Sequence, residues 1–125
     1  MRLSRFLLVC TFLLGGTAAA LAHAHLQKAE PPVGAAIKVA PTEVRLWFSQ
    51  KLEPAFSKVQ VLDEHEQSVA REDSKVDPAD AAQMSVSLLP LKPGTYKVTW
   101  RAVSVDTHVT EGDHVFTVTQ QTSAR

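Results

Sequence analysis

From residue 42 onward the apolar residues recur with a period of two. In "TEVRLWFS", Val44, Leu46 and Phe48 fall on one face while Glu43, Arg45 and Trp47 fall on the other. In "QMSVSLL", Met84, Val86 and Leu88 alternate with Gln83, Ser85 and Ser87. "TYKVTWRAV" sets Tyr96, Val98, Trp100 and Ala102 against Thr95, Lys97, Thr99 and Arg101, and "DHVFTVT" sets His114, Phe116 and Val118 against Asp113, Val115 and Thr117. Such alternation puts one face on a core and the other in water, as antiparallel strands require. Further strands are expected over residues 24–30, 58–62 and 67–71, with turn signals at "EPPVG", "LDEHEQ", "DPADA" and "LKPG". About seven short strands with regular breaks predict an all-β fold, a single Greek-key β-sandwich of immunoglobulin-like or cupredoxin-like form. In "LPLKPGTYKVTW", Tyr96 stands two residues after a Pro-Gly turn at the entry to a strand, the position of a tyrosine corner.

The first 22 residues break this pattern. Arg2 and Arg5 precede the apolar run "FLLVCTFLL", and a small-residue tail follows to Ala22, the three parts of a secretory signal peptide. The run is too short to span a bilayer as an ordinary helix, so no membrane span is expected after cleavage. Two cleavage frames fit the small-x-small rule, after Ala22 or after Ala24, and each makes a histidine the new terminus, His23 or His25. The first is the better frame because Leu21 is the less unusual middle residue. The expected organisation is therefore a signal peptide over 1–22, one domain over 23–120 and a frayed tail over 121–125.

Cleavage also changes the available chemistry. The chain has equal numbers of basic and acidic residues, 13 each, and loses Arg2 and Arg5 with the leader, so the exported part is mildly acidic. A nucleic-acid binder would carry a basic face, and none is apparent. The only cysteine, Cys10, also leaves, so no disulfide or thiolate remains, and Met84 is the only thioether. Any metal must then be held mainly by nitrogen and oxygen.

The segment "SVDTHVTEG" between the last two long strands offers such donors. Asp106 and His108 stand two apart, so in an extended chain both side chains project from the same side. His23 at a processed terminus adds an imidazole and an α-amine, whose ordinary pKa of about 8 lets it yield its proton to a metal near neutral pH. Two imidazoles, an amine and a carboxylate suit tetragonal Cu(II), whereas zinc prefers a tetrahedron. From spacing alone, Asp-Thr-His reads equally as a turn of solvated polar residues. His65 in "DEHEQ" reads as a solvated loop residue, and Glu111 and Asp113 as surface charges on a hairpin. His114 keeps phase with Phe116 and Val118 and reads as a core-facing or rim histidine, with a role beside the metal left open. His25 raises a rival mode: as third residue of a free terminus it can chelate Cu(II) through the amine, two ionised amides and its ring, but only if that terminus is flexible.

The segments "HAHLQKAEPPVGA", "VRLWFSQKLEPAFSKVQV" and "LKPGTYKVTWRAVSVDTHVTEGDHVFTV" together resemble the CopC family of exported copper-binding proteins, including its short YobA-like members. The resemblance covers nearly the whole of the chain beyond the leader. It implies a periplasmic β-sandwich that binds one Cu(II) ion through the amine and ring of His23 and through Asp106 and His108. It implies a role in copper resistance or homeostasis, storing copper or delivering it to a CopD-type membrane transporter. A monomer that is not an enzyme is expected, since protein ligands that complete the equatorial plane leave little room for a substrate. Some relatives carry a Met-rich loop for Cu(I); the corresponding "LDEHEQSVAREDSKVDPAD" has no methionine, so the resemblance is to the Cu(II)-only type. Two competing classes are a copper oxidative enzyme, since an N-terminal histidine chelate also occurs in polysaccharide monooxygenases of β-sandwich fold, and a metal-free interaction sandwich.

Overall fold

The alternating segments form strands that pair into two four-stranded sheets. In the computed structural model residues 24–120 are described; residues 1–23, with the expected leader and His23, and residues 121–125 lie outside them. The strands are β1 (Leu26–Glu30), β2 (Ala36–Ile37), β3 (Glu43–Phe48), β4 (Lys58–Leu62), β5 (Lys75–Val76), β6 (Gln83–Ser87), β7 (Gly94–Val103) and β8 (Val109–Val118). One sheet has the order β1-β3-β6-β5 and the other β2-β8-β7-β4. The chain passes repeatedly from one sheet to the other, which is the crossing pattern of a sandwich. Every strand pair is antiparallel except β2 and β8, which run parallel.

The period of two identified the inward faces. Val44, Leu46 and Phe48 of β3, Met84 and Val86 of β6, Tyr96, Val98 and Ala102 of β7, and Phe116 and Val118 of β8 are all buried. Tyr96 and Phe116 stack with ring centroids 5.5 Å apart. The Tyr96 hydroxyl donates to the Lys92 carbonyl at 2.5 Å, closing the expected tyrosine corner. On the outer side of β3, Trp47 lies beneath the Lys28 ammonium, 4.7 Å from its ring centroid, so it too has a partner. Met84 is fully buried and presents no thioether at the surface.

The strand count is eight among the described residues, not about seven, and the differences have local causes. β2 and β5 have two residues each, too few for any periodicity to show. Residues 67–71 form no strand. Ser68 bridges to Leu62 in one sheet and Ala70 to Leu88 in the other, so the segment crosses between the sheets before it can run along either. The first strand starts at Leu26, two residues later than expected. β8 begins at Val109, so Glu111 and Asp113 are exposed charges on its outer face; Glu111 there pairs with Arg101 at 2.9 Å.

β7 and β8 form the ribbon that carries the candidate site. They pair from Gly94 with Val118 to Val103 with Val109, leaving Ser104 to His108 as the connecting turn. The loop between β3 and β4 braces that end of the ribbon. Leu52 bridges to Ser104, the Glu53 amide donates to Val103, and the Val105 amide donates to Lys51.

Candidate metal centre

Asp106 and His108 sit in the β7–β8 turn with side chains 42% and 50% exposed, and the Asp106 Oδ1 lies 3.2 Å from the His108 Nδ1. They do not meet by extended-chain alternation. Thr107 between them adopts φ 73°, the left-handed region, so the backbone coils and brings the two side chains together. The Thr107 amide donates to the Ser104 carbonyl at 2.8 Å and the Ser104 amide to the His108 carbonyl at 2.9 Å, closing the turn. A non-glycine residue with positive φ is uncommon and concentrates where the surroundings hold it in place.

Ser104 is the residue that spacing did not single out. It is buried, and its hydroxyl donates to the Asp106 carboxylate. That bond, and after it the ring and amide of His108, hold the Asp106 carboxyl below the usual carboxylate range. The carboxylate is thus ionised at neutral pH and oriented from beneath. Two donors about 2.0–2.1 Å from one ion at right angles stand about 2.9 Å apart, so a separation of 3.2 Å suits adjacent positions on a metal. Among the described residues no third His, Cys, Asp or Glu joins them to make a metal-binding group.

The other histidines separate clearly. His65 is exposed in the turn after β4, its amide bonded to Asp63 Oδ1. His114 is buried on the inner face of β8, with neither ring nitrogen hydrogen-bonded. It lies six residues along an extended strand from His108, about 20 Å, too far to act beside the same metal. Burial lowers its pKa, partly opposed by the Asp113 carboxylate.

A long-range contact ties the N-terminal segment to β8 just beyond the turn. The Thr110 hydroxyl, two residues beyond His108, donates to the Ala24 carbonyl at 2.8 Å across 86 residues of sequence. Ala24 is fully buried, and His25 is exposed just before β1. His23, the expected terminal ligand, lies outside the described residues.

A CopC domain model matches residues 26–119. The chain belongs to the CopC family. It is 38% identical to the protein YobA of Escherichia coli (strain K12) over 98 residues, covering 78% of this chain and 79% of YobA. Among solved structures it is similar to CopC from Methylosinus trichosporium OB3b, with TM-score 0.74 and 29% identity, covering 82% of this chain and 100% of that one. It is also similar to PcoC, a methionine-rich copper resistance protein from Escherichia coli, with TM-score 0.65 and 36% identity, covering 78% of this chain and 99% of that one. This CopC-family chain has two methionines, Met1 and the buried Met84, and so is not methionine-rich as PcoC is. Among its described residues no helix is long and apolar enough to cross a membrane.

Proposed function

We propose that the processed protein binds one Cu(II) ion in the periplasm, through the α-amine and imidazole of His23 together with Asp106 and His108, and serves copper resistance or homeostasis as a carrier. The observation that carries this reading is the bond from Thr110 to the Ala24 carbonyl, which fixes the main chain one residue from His23 beside the Asp106–His108 turn. His23 follows from Ala24 by a single peptide, with about 3.8 Å between Cα atoms. The same bond and the complete burial of Ala24 support cleavage after Ala22, because cleavage after Ala24 would discard a built-in residue.

An amine, two imidazoles and an ionised carboxylate fill a tetragonal plane around Cu(II). A plane filled by protein ligands holds its ion and leaves no equatorial position for a substrate, which favours carrying over oxidation. Delivery to a CopD-type membrane transporter, by a monomer, is what the CopC family suggests for the next step. The exposed position of Asp106 and His108 suits handing the ion on, since a partner can approach both.

The test is a Cu(II) titration against a competing chelator, using protein with an authentic His23 terminus and protein carrying one extra N-terminal glycine. The extension separates the α-amine from the His23 ring, so the two no longer chelate through the first residue, and it should weaken binding severely. Equal affinity in the two proteins would refute the terminal ligand, and equal affinity in His108→Ala would refute the turn.

A further inference from the structure

The peptide joining Ala24 to His25 is held at both ends. Its carbonyl accepts from the Thr110 hydroxyl on β8 at 2.8 Å, and its N–H donates to the Ser49 hydroxyl after β3, also at 2.8 Å. Ser49 then donates its own amide to the His25 carbonyl at 2.8 Å, so the next peptide is tied as well. Because a peptide group is planar, anchoring the oxygen and the nitrogen of one unit removes its freedom to rotate about the chain. Ser49 follows a strand of one sheet and Thr110 lies on a strand of the other, so the N-terminal segment is gripped from both sheets.

A His-Ala-His terminus has two ways to chelate Cu(II). One uses the His23 amine and ring with Asp106 and His108. The other uses the amine, the amide nitrogens of residues 24 and 25, and the His25 ring, and releases both amide protons to water as the metal–nitrogen bonds form. The second mode requires the His25 nitrogen to leave Ser49 and the whole Ala24–His25 peptide to turn toward the metal, which breaks the Thr110 bond too.

We infer that Thr110 and Ser49 are positioning residues that select the chelation mode: by clamping the Ala24–His25 peptide they exclude the amide-bound terminus and direct Cu(II) to the composite site. This inference rests on the proposed copper site and adds what keeps the metal there. Neither hydroxyl touches the metal, and each acts through the main chain. A neutral hydrogen bond is worth about two- to twelvefold in an equilibrium constant, so the pair biases the choice between modes by about 5- to 150-fold.

The experiment compares the processed wild-type protein with Thr110→Val, Ser49→Ala and the double variant, each loaded with one equivalent of Cu(II) and examined by electron paramagnetic resonance and visible absorption. His108→Ala and His25→Ala are introduced into each background. Wild type should lose binding with His108→Ala and keep it with His25→Ala. The double variant should shift to a four-nitrogen signal with its absorption at shorter wavelength, and should then depend on His25 and no longer on His108. Thr110→Ser and Ser49→Thr retain the hydroxyls and should restore the wild-type spectrum, which separates clamping from loss of folding. A double variant that stays folded by circular dichroism, keeps the wild-type spectrum and still depends on His108 overturns the clamp while leaving the site intact. A wild-type protein indifferent to His108→Ala overturns the site, and the clamp with it.

Discussion

Replacing Gly112 by alanine probes how the ribbon beneath the site is packed. A Cβ at that position would lie 2.4 Å from Trp100 Cζ2, 2.8 Å from Cε2 and 3.1 Å from Cη2. Gly112 and Trp100 are cross-strand partners, and the indole lies over the space that a side chain would fill. Carbon atoms in ordinary contact stand about 3.5–4.0 Å apart, so the ring must withdraw by about 1 Å or more. Its movement is restricted because the ring also meets Phe48 edge-on with centroids 5.0 Å apart, and Phe48 is itself buried. Overpacking of this kind costs about 1–3 kcal/mol, against which the reduced entropy of the unfolded chain returns about 0.4–1 kcal/mol. The net loss of about 1–2 kcal/mol should lower the melting temperature by roughly 5–15 °C for a domain of this size. Urea and thermal denaturation of Gly112→Ala, alone and combined with Trp100→Leu, measure it directly. With the indole removed the alanine should be neutral or mildly stabilising. An alanine that is harmless in the wild-type background, or equally costly in both, would show that the Trp100 ring is not what reserves position 112. Because Phe48 pairs with Leu26 at the start of β1, withdrawal of the ring should also weaken Cu(II) binding by several-fold.

Two further outcomes follow from the titrating groups. Ser104→Ala removes the hydroxyl that does most to depress the Asp106 pKa, so carbon-detected NMR of the metal-free protein should show the Asp106 midpoint rising toward the ordinary 3.8, with Cu(II) binding weakened; an unmoved midpoint would refute the role given to Ser104. The lowered pKa of buried His114 means that, as pH falls from about 6.5 toward the folded value, the unfolded chain takes up the proton first and stability declines, whereas above 6.5 the group contributes no slope. Urea denaturation at pH 7.5 and 5.5 should therefore show a loss on acidification that His114→Phe largely removes. This window lies above that of the depressed carboxylates Asp63, Asp73 and Asp106, whose contributions are lost only as pH falls below their ordinary values near 3.8.

Much of this protein was legible in its sequence because the information was local. A period of two over five or more residues needs only the pleat of a strand, so β3, β6, β7 and the second half of β8 could be read together with their buried faces. The tyrosine corner was visible for the same reason, since hydroxyl and carbonyl belong to residues four apart. Asp106 and His108 drew notice by spacing, yet what brings them together is the left-handed Thr107 and the hydroxyl of Ser104 beneath them, neither of which a two-residue spacing announces.

By itself the sequence determined an all-β sandwich with one core and a family resemblance that the CopC match sustains, and it raised the expectation of an export leader and of a metal site built from nitrogen and oxygen donors. Only the tertiary structure decided which distant pieces meet. The pairing of β2 with β8, the bridge of residues 68–70 between the sheets, the burial of His114 far from the turn, and the grip of Thr110 and Ser49 on the Ala24–His25 peptide all join residues without any local signature. Each is a contact whose partners become neighbours only when the two sheets close on a shared core, and closure is a property of the whole chain.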